Sequence, residues 1–287
     1  MNRDRYLHAV ETGDLNELKQ LQRKCYLFDK AQSERLTTAA AASGNLPILE
    51  FLRKYKCRWN YRIFFAASKG GHLNCLKYAV KNGCHLNLTQ YVKQLSCAFA
   101  AEGGHFDCLI YLREHGFSWN EQACEGAVKN GHLDCLIYLR ENGCPWDKWT
   151  CEGAAKYGHL HCLIYAREHG CPWDELTCES AAKYGHLDCL VYAKENGCPF
   201  NSDEIMCYGS FKFNWTILLY LIEQGTSRKL PLQIYNHDLK FHFVSAKKLF
   251  DRNFIRYDTM HEWVCCVDAI CNELCYDDLS TLIKQFI

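Results

Sequence analysis

One feature constrains this chain before any other: a phrase that returns every 27 residues. CEGAVKNGHLDCLIYLRENGCPWDKWT from Cys124, CEGAAKYGHLHCLIYAREHGCPWDELT from Cys151 and CESAAKYGHLDCLVYAKENGCPFNSDE from Cys178 align without a gap. A fourth copy begins at Cys97, and a fifth, offset by 33, at Phe64. The marker glycine stands at Gly13, Gly44, Gly71, Gly104, Gly131, Gly158 and Gly185, each followed two residues later by leucine or phenylalanine. A degenerate eighth unit runs through Phe213-Asn214-Trp215, with Lys212 in place of the glycine. Phased self-similarity of this length is the signature of a stacked array of small structural units.

Each unit reads as two short helices. The first, such as Thr150 to Tyr157, is rich in small residues and ends at a glycine, which tolerates the left-handed conformation of a helix end. The second, Leu160 to Glu168, sets Leu160, Leu163 and Ala166 at helical spacing and ends near Gly170. Neither is long enough to stand alone, so each must bury its apolar face against neighbouring units. Between units run two ladders. Trp59, Leu86, Trp119, Trp146, Trp173 and Phe200 are expected to pack between units. Asn60, Asn87, Asn120, Asp147, Asp174 and Asn201 are expected to cap the next first helix.

The string AAKYGHLDCLVYAKENGC resembles the ankyrin repeat, matching its Ala-Ala-x-x-Gly-His-Leu core, with Gly-Cys-Pro-Trp-Asp in the place of its turn. The resemblance spans roughly residues 3 to 225 and implies an all-α, ankyrin-type solenoid of about eight helix–turn–helix units. Two departures stand out. An ankyrin unit is usually about 33 residues, so the connecting β-hairpins here are shortened, and Thr-Cys-Glu replaces the usual Thr-Pro-Leu-His opening. An insert, Leu88 to Leu95, is expected to restore one full-length connection. Short cysteine-rich units ending in Gly-Cys-Pro-Trp look like those of giant DNA viruses of amoebae and of some protists. The resemblance therefore implies a viral protein acting in host cytoplasm.

The family implies a protein partner, and with the hairpin fingers shortened the gripping surface should move onto the first helices. Residues that vary between units there are Lys69, Glu102, Lys129, Asn130, Lys156, Tyr157, Lys183 and Tyr184 at the helix ends. At the starts they are Gln122, Trp149 and Leu176, joined by Glu125, Glu152 and Glu179. Trp149 is the aromatic hot-spot candidate; its alternative is packing against a neighbouring loop.

Twenty cysteines would suggest a disulfide framework in a small secreted chain. Here the chain is large and Met1 to Arg5 lead into no signal-peptide core, so free thiols acting as small buried hydrophobes are expected. Their spacings within a unit, 11, 9 and 7, do not suit zinc. Cys265, Cys266, Cys271 and Cys275 near His261 are the place where metal or redox chemistry would be sought. The histidines at 72, 105, 132, 159 and 186 are expected to bond backbone at the turn between helices. No phosphate loop, zinc-protease helix or nucleophile elbow appears, and the carboxylates recur in register, so no enzyme and no cofactor are expected. Lys plus Arg and Asp plus Glu both number 33, which argues against a broad grip on nucleic acid. No apolar run approaches a membrane span, and a monomer in the cytoplasm is the expectation.

From about Thr226 the repeat is lost, so the domains are read as 1–225, the solenoid, and 226–287, a helical cap covering its last apolar face. Leu230-Pro231-Leu232-Gln233-Ile234 faintly resembles the start of an F-box, which would make the protein a ubiquitin-ligase substrate adaptor.

Overall fold

The computed structural model of the chain describes residues 2–22, 29–84, 88–202, 205, 217, 220 and 221. The degenerate eighth unit at 213–215, the cap at 226–287, the F-box-like string and the C-terminal cysteine cluster lie outside the described residues. So do Leu86 and Asn87 of the two ladders.

Helices follow one another in pairs: α1 (Asn2–Glu11) with α2 (Leu15–Gln22), α3 (Lys30–Ala42) with α4 (Leu46–Lys54), and α5 (Arg62–Lys69) with α6 (Leu73–Lys81). Next come α7 (Gln90–Glu102) with α8 (Phe106–Glu114), α9 (Glu121–Lys129) with α10 (Leu133–Glu141), and α11 (Lys148–Tyr157) with α12 (Leu160–Glu168). The pair α13 (Glu175–Tyr184) and α14 (Leu187–Glu195) completes the series. No strand occurs among the described residues. The described residues form helix–turn–helix pairs of the ankyrin type, and the chain divides into two compact units, Met1–Thr177 and Cys178–Ile287.

Within the first unit the odd-numbered first helices α1 to α11 pack in one row, and the second helices α4 to α12 pack in another. The alanines of the first helices (Ala123, Ala127, Ala154, Ala155) and the leucines of the second (Leu109, Leu112, Leu136, Leu139, Leu163) are wholly buried between the rows. Small side chains on one layer let helices approach, and large ones on the other fill what remains. In the second unit, Cys178, Ala181, Ala182, Cys189, Leu190 and Ala193 form the same kind of core.

The repeated glycines are helix stops. In α5 the N–H of His72 donates to Ala67 O at 2.8 Å and that of Gly71 to Ser68 O at 3.3 Å, the two bonds of a Schellman cap. Gly71 sits at φ +72°, which glycine adopts without strain. The second helices end the same way: Cys84 N–H donates to Ala79 O, Cys144 to Leu139 O and Cys171 to Ala166 O. The turn cysteine is thus the apolar residue that closes the cap. After α4 the left-handed position carries Lys56, at φ +59°.

Histidine after the glycine ties one unit to the one before. His72 Nε2 lies 2.8 Å from Ala42 O, His105 Nε2 2.9 Å from Lys69 O, and His159 Nε2 3.3 Å from Lys129 O. Each bonds a carbonyl at the end of the preceding first helix, where no intrahelical donor remains. Each ring also covers the preceding unit's glycine: a Cβ at Gly71 would fall 2.4 Å from His105 Nδ1. The backbone role expected for the histidine ladder is present at His72, His105 and His159, where it acts between units.

The aromatic ladder packs between units, with a feature the spacing did not suggest. Arg53, Arg113, Arg140 and Arg167, near the ends of the second helices, lie 4.0 to 4.4 Å above the rings of Trp59, Trp119, Trp146 and Trp173. From the other side, Tyr78, Tyr138 and Tyr165 of the following unit meet Trp59, Trp119 and Trp146 edge-on at 6.0 to 6.3 Å. Trp59, Trp119 and Trp146 are each held between a cation of their own unit and a tyrosine of the next, a contact worth about 0.5–2 kcal/mol for the cation alone.

Two expectations are corrected. The polar ladder caps helices unevenly: Asp147 accepts the Trp149 N–H at 3.0 Å, Asp174 that of Leu176 at 3.2 Å and Asn60 that of Arg62 at 2.9 Å. Asn120 stands at the N-cap of α9 without a side-chain cap bond, and α7 is capped by Thr89. The second correction explains that shift. Leu88 to Leu95 does not restore a hairpin connection; from Gln90 onward it is helix, extending α7 to 13 residues. The insert contains no glycine or proline, Thr89 accepts the Val92 N–H, and Val92 is buried, so helix extension satisfies the segment locally.

Candidate functional site

Three first helices of the first unit, α7, α9 and α11, line a groove of about 350 Å³. Its residues fall into stripes at i, i+3, i+4 and i+7, one helical face each: Leu95, Ala98, Phe99 and Glu102; Gln122, Glu125, Gly126 and Lys129; Trp149, Glu152, Gly153 and Lys156, with Tyr157 beside them. Because the stripes are 27 residues apart, they are the same positions of successive units. Glycine in the middle of a helix is what lets the walls close. A Cβ on Gly126 would sit 2.6 Å from Ala98 O, so α7 and α9 can approach only because none is there.

Eight of the fourteen residues singled out in the sequence meet in this groove: Glu102, Gln122, Glu125, Lys129, Trp149, Glu152, Lys156 and Tyr157. Lys69 and Asn130 lie at its margin. Glu102 Oε1 accepts from Lys129 Nζ at 2.9 Å and from Lys69 Nζ at 3.4 Å, linking α5, α7 and α9, while Asn130 donates to Glu102 O at 2.7 Å. Burial opposes the charge on Glu102, but the bond and charge of Lys129, with those of Lys69, outweigh it and hold the carboxyl below its ordinary value. Glu102 in turn pushes Lys129 up.

The opposite end of the stripes is acidic and aromatic. Burial, then the charges of Asp147, Glu121 and Glu152, push the half-buried Glu125 above the ordinary carboxylate range. Trp149 is 45% exposed, with Lys148 Nζ 5.1 Å from its ring and bonded at 2.7 Å to Asp174. Tyr157 is also exposed, with Lys156 Nζ 5.5 Å from its ring.

Leu176, Glu179, Lys183 and Tyr184 are not among the residues that line this groove. Leu176 is half-buried, and Lys183 and Tyr184 are exposed. Glu179 corrects the expectation of an exposed row: it is buried, and its counterparts Glu125 and Glu152 are half-buried.

Sequence reasoning missed the neighbouring surface. Tyr61, Arg62 and Phe65 of α5 and its N-terminal edge, with Leu88, Thr89, Tyr91, Val92 and Leu95, line a second hollow of about 580 Å³. Leu95 belongs to both. Tyr61 meets Phe65 edge-on and Phe65 meets Phe99 edge-on, at 5.4 and 5.2 Å, while Tyr91 is 63% exposed. The signal was available: Arg62, Phe65, Ala66 and Lys69 form the same stripe one unit earlier, once the offset of 33 is applied.

The cysteines look inward. All but the half-buried Cys84 of the described cysteines are buried, and none is in a disulfide. Burial pushes the thiols of Cys57, Cys75 and Cys162 up to about 11 and those of Cys97 and Cys135 to about 12. Cys124 and Cys178 are raised too, first by hydrogen bonds with Cys144 and Cys198. These first-helix and turn thiols meet within a unit, a pairing that comparison of equivalent positions did not reveal. Among the described residues no three His, Cys, Asp or Glu side chains are grouped to hold a metal, and no helix is long and apolar enough to cross a membrane.

The family model described as ankyrin repeats in three copies matches residues 36–123 and 63–150. Residues 36–150 therefore carry ankyrin repeats. Among solved structures, the human ASB11 ankyrin repeat domain is similar at 22% identity and a TM-score of 0.47, covering 56% of this chain and 83% of that one. No curated protein matches the chain.

Proposed function

We propose that this protein is a non-enzymatic scaffold that holds another protein on the first-helix face of its solenoid, at the groove formed by α7, α9 and α11. The observation that carries this reading is the convergence of the exposed Trp149, Tyr157 and Lys129 with the half-buried Lys156 on a groove whose walls are otherwise regular core-forming helices. Repeated core positions are nearly invariant from unit to unit, while the groove stripe changes from Leu95 to Gln122 to Trp149. A stack needs constancy; a surface fitted to one partner does not. The resemblance of the short cysteine-rich units extends the proposal to a viral protein working in host cytoplasm, on a host or viral partner.

The test is affinity capture from host-cell lysate with the full chain, using two sets of variants. Trp149→Ala with Lys129→Glu and Lys156→Glu alters the groove; Asp134→Lys with His161→Glu alters exposed positions on second helices α10 and α12. Partners lost with the first set and kept with the second support the reading. The reverse, or loss with both in folded protein, sinks the face assignment.

A further inference from the structure

The hollow between α5 and α7 differs in chemistry from the groove beside it. Tyr61, Phe65, Leu88, Val92 and Leu95 make its walls, and Tyr91 is, at 63%, the most exposed large apolar side chain among the described residues. Exposed apolar surface gathered in one concave place marks a site of contact. The one formal charge in the lining is Arg62. Arg35 holds the same position 27 residues earlier, on α3, which packs against α5. Both arginines are exposed, and among the described residues neither guanidinium enters a hydrogen bond or an ion pair. In that they differ from Lys69, Lys129 and Lys148 on the same row of helices, which are tied to Glu102 or Asp174. Glu34, the carboxylate next to Arg35 in the chain, is half-buried and accepts from the Asn60 amide at 2.9 Å. Arg62 also opens α5, where the end of a helix adds positive charge of its own.

Resting on the first-helix reading above, we infer that this part of the face takes a linear, acidic segment of the partner protein, which sets a large apolar side chain in the hollow and carboxylates on Arg62 and Arg35. A guanidinium presents a planar fork of donors that matches a carboxylate, and these two are not already engaged. The aliphatic walls made by Leu88, Val92 and Leu95 offer nothing to the polar edge of a nucleobase, which favours a protein segment over a single-stranded nucleic acid. Leu95 belongs to hollow and groove alike, so the segment can continue toward Trp149 without leaving the surface. Packed helices stand about 8–10 Å apart, which puts the middle of the hollow about 4–5 Å from the line of α5 and about 12–15 Å from that of α3. An extended chain rises about 3.3 Å per residue, so the carboxylates fall within about four residues of the apolar side chain.

Random linear peptides displayed on phage and selected on the immobilised full-length chain test this directly. Enriched peptides are expected to pair a leucine, phenylalanine or methionine with aspartate or glutamate at no more than that separation. A synthetic peptide of the enriched sequence should bind at least about tenfold more weakly, about 1.4 kcal/mol, to the Arg35→Gln, Arg62→Gln double variant and to Tyr91→Ser. These side chains are exposed, so the variants should melt as the wild type does. The affinity of the peptide for Asp134→Lys, on a second helix, should be unchanged, and raised salt should weaken its binding to the wild type. Enrichment of basic peptides, enrichment without carboxylates, indifference to the double variant, displacement of the peptide by a single-stranded oligonucleotide, self-association of the chain that Tyr91→Ser abolishes, or no enrichment at all would each overturn the inference. Those results leave the scaffold reading standing as long as Trp149→Ala still loses the captured partner; if that loss also fails to appear, both fall.

Discussion

Lys56 occupies the left-handed position that glycine fills at the end of the other second helices, Gly83, Gly116, Gly143, Gly170 and Gly197. A side chain there costs about 1–2 kcal/mol, while glycine gives back about 0.5–1 kcal/mol through the freedom it has when unfolded. The first term wins, so Lys56→Gly should stabilise by somewhat under about 1 kcal/mol and raise the melting temperature by about 2 °C, read by calorimetry. Glu125 makes the second residue-scale case. Its folded-state pKa lies above its unfolded value, so its unfavourable contribution is absent below the ordinary carboxylate pKa and grows as pH rises through the raised one. Glu125→Gln should therefore melt higher than wild type at pH 7, with the difference shrinking as the pH falls towards 4. An equal difference at both pH values would show that charge is not the cause. At this scale the sequence was informative about identity and weak about environment. Glu125, Glu152 and Glu179 read as one exposed row, yet Glu179 is buried and the other two are half-buried, because burial is set by tertiary neighbours that a single-sequence pattern does not name.

Helix existence and ends were legible where periodicity and glycine agree. Leu160 to Glu168 is read from the sequence and is α12 residue for residue. The insert before α7 was misread, because a family-based expectation of a hairpin was set above the local chemistry of Gln90 to Leu95, which contains nothing to stop a helix. Contacts between elements were the least legible, and the two mid-helix glycines of the groove show why. Gly126 and Gly153 occupy the same place in consecutive units, but a Cβ meets Ala98 O at 2.6 Å in one and only the Val128 Cγ2 methyl at 3.1 Å in the other. Alanine gains about 1 kcal/mol over glycine in a helix interior. At Gly153 a side-chain methyl can shift, so Gly153→Ala should leave stability unchanged or improve it. At Gly126 a helix backbone must move, so Gly126→Ala should destabilise despite the same propensity gain. Chemical denaturation of the two variants should give changes of opposite sign, or one near zero; two equal gains would mean α7 and α9 are not held as closely as described.

At the scale of the whole array, the ties are all between neighbours: histidine to the preceding helix end, indole to the following tyrosine, alanine layer to alanine layer. Folding of such an array is a sum of units and nearest-neighbour interfaces, so its length and its binding surface are separable. Deleting Cys124 to Thr150 joins Ala123 to Cys151 in phase. The hybrid first helix keeps a glycine against Ala98, because Gly153 takes the place of Gly126; Trp119 meets Tyr165 in place of Tyr138, and His159 inherits the place of His132. The shortened protein should retain its helical circular dichroism per residue and melt cooperatively at a somewhat lower temperature. Deleting only Cys124 to Arg140 instead, 17 residues, leaves the repeat out of phase, sets mismatched faces against each other, and should not melt cooperatively. Trp149 and Lys129 are absent from the in-phase deletion while every class of inter-unit contact remains. That protein should accordingly fold and yet lose the partner, which would place binding in the residues that vary between units and stability in those that repeat.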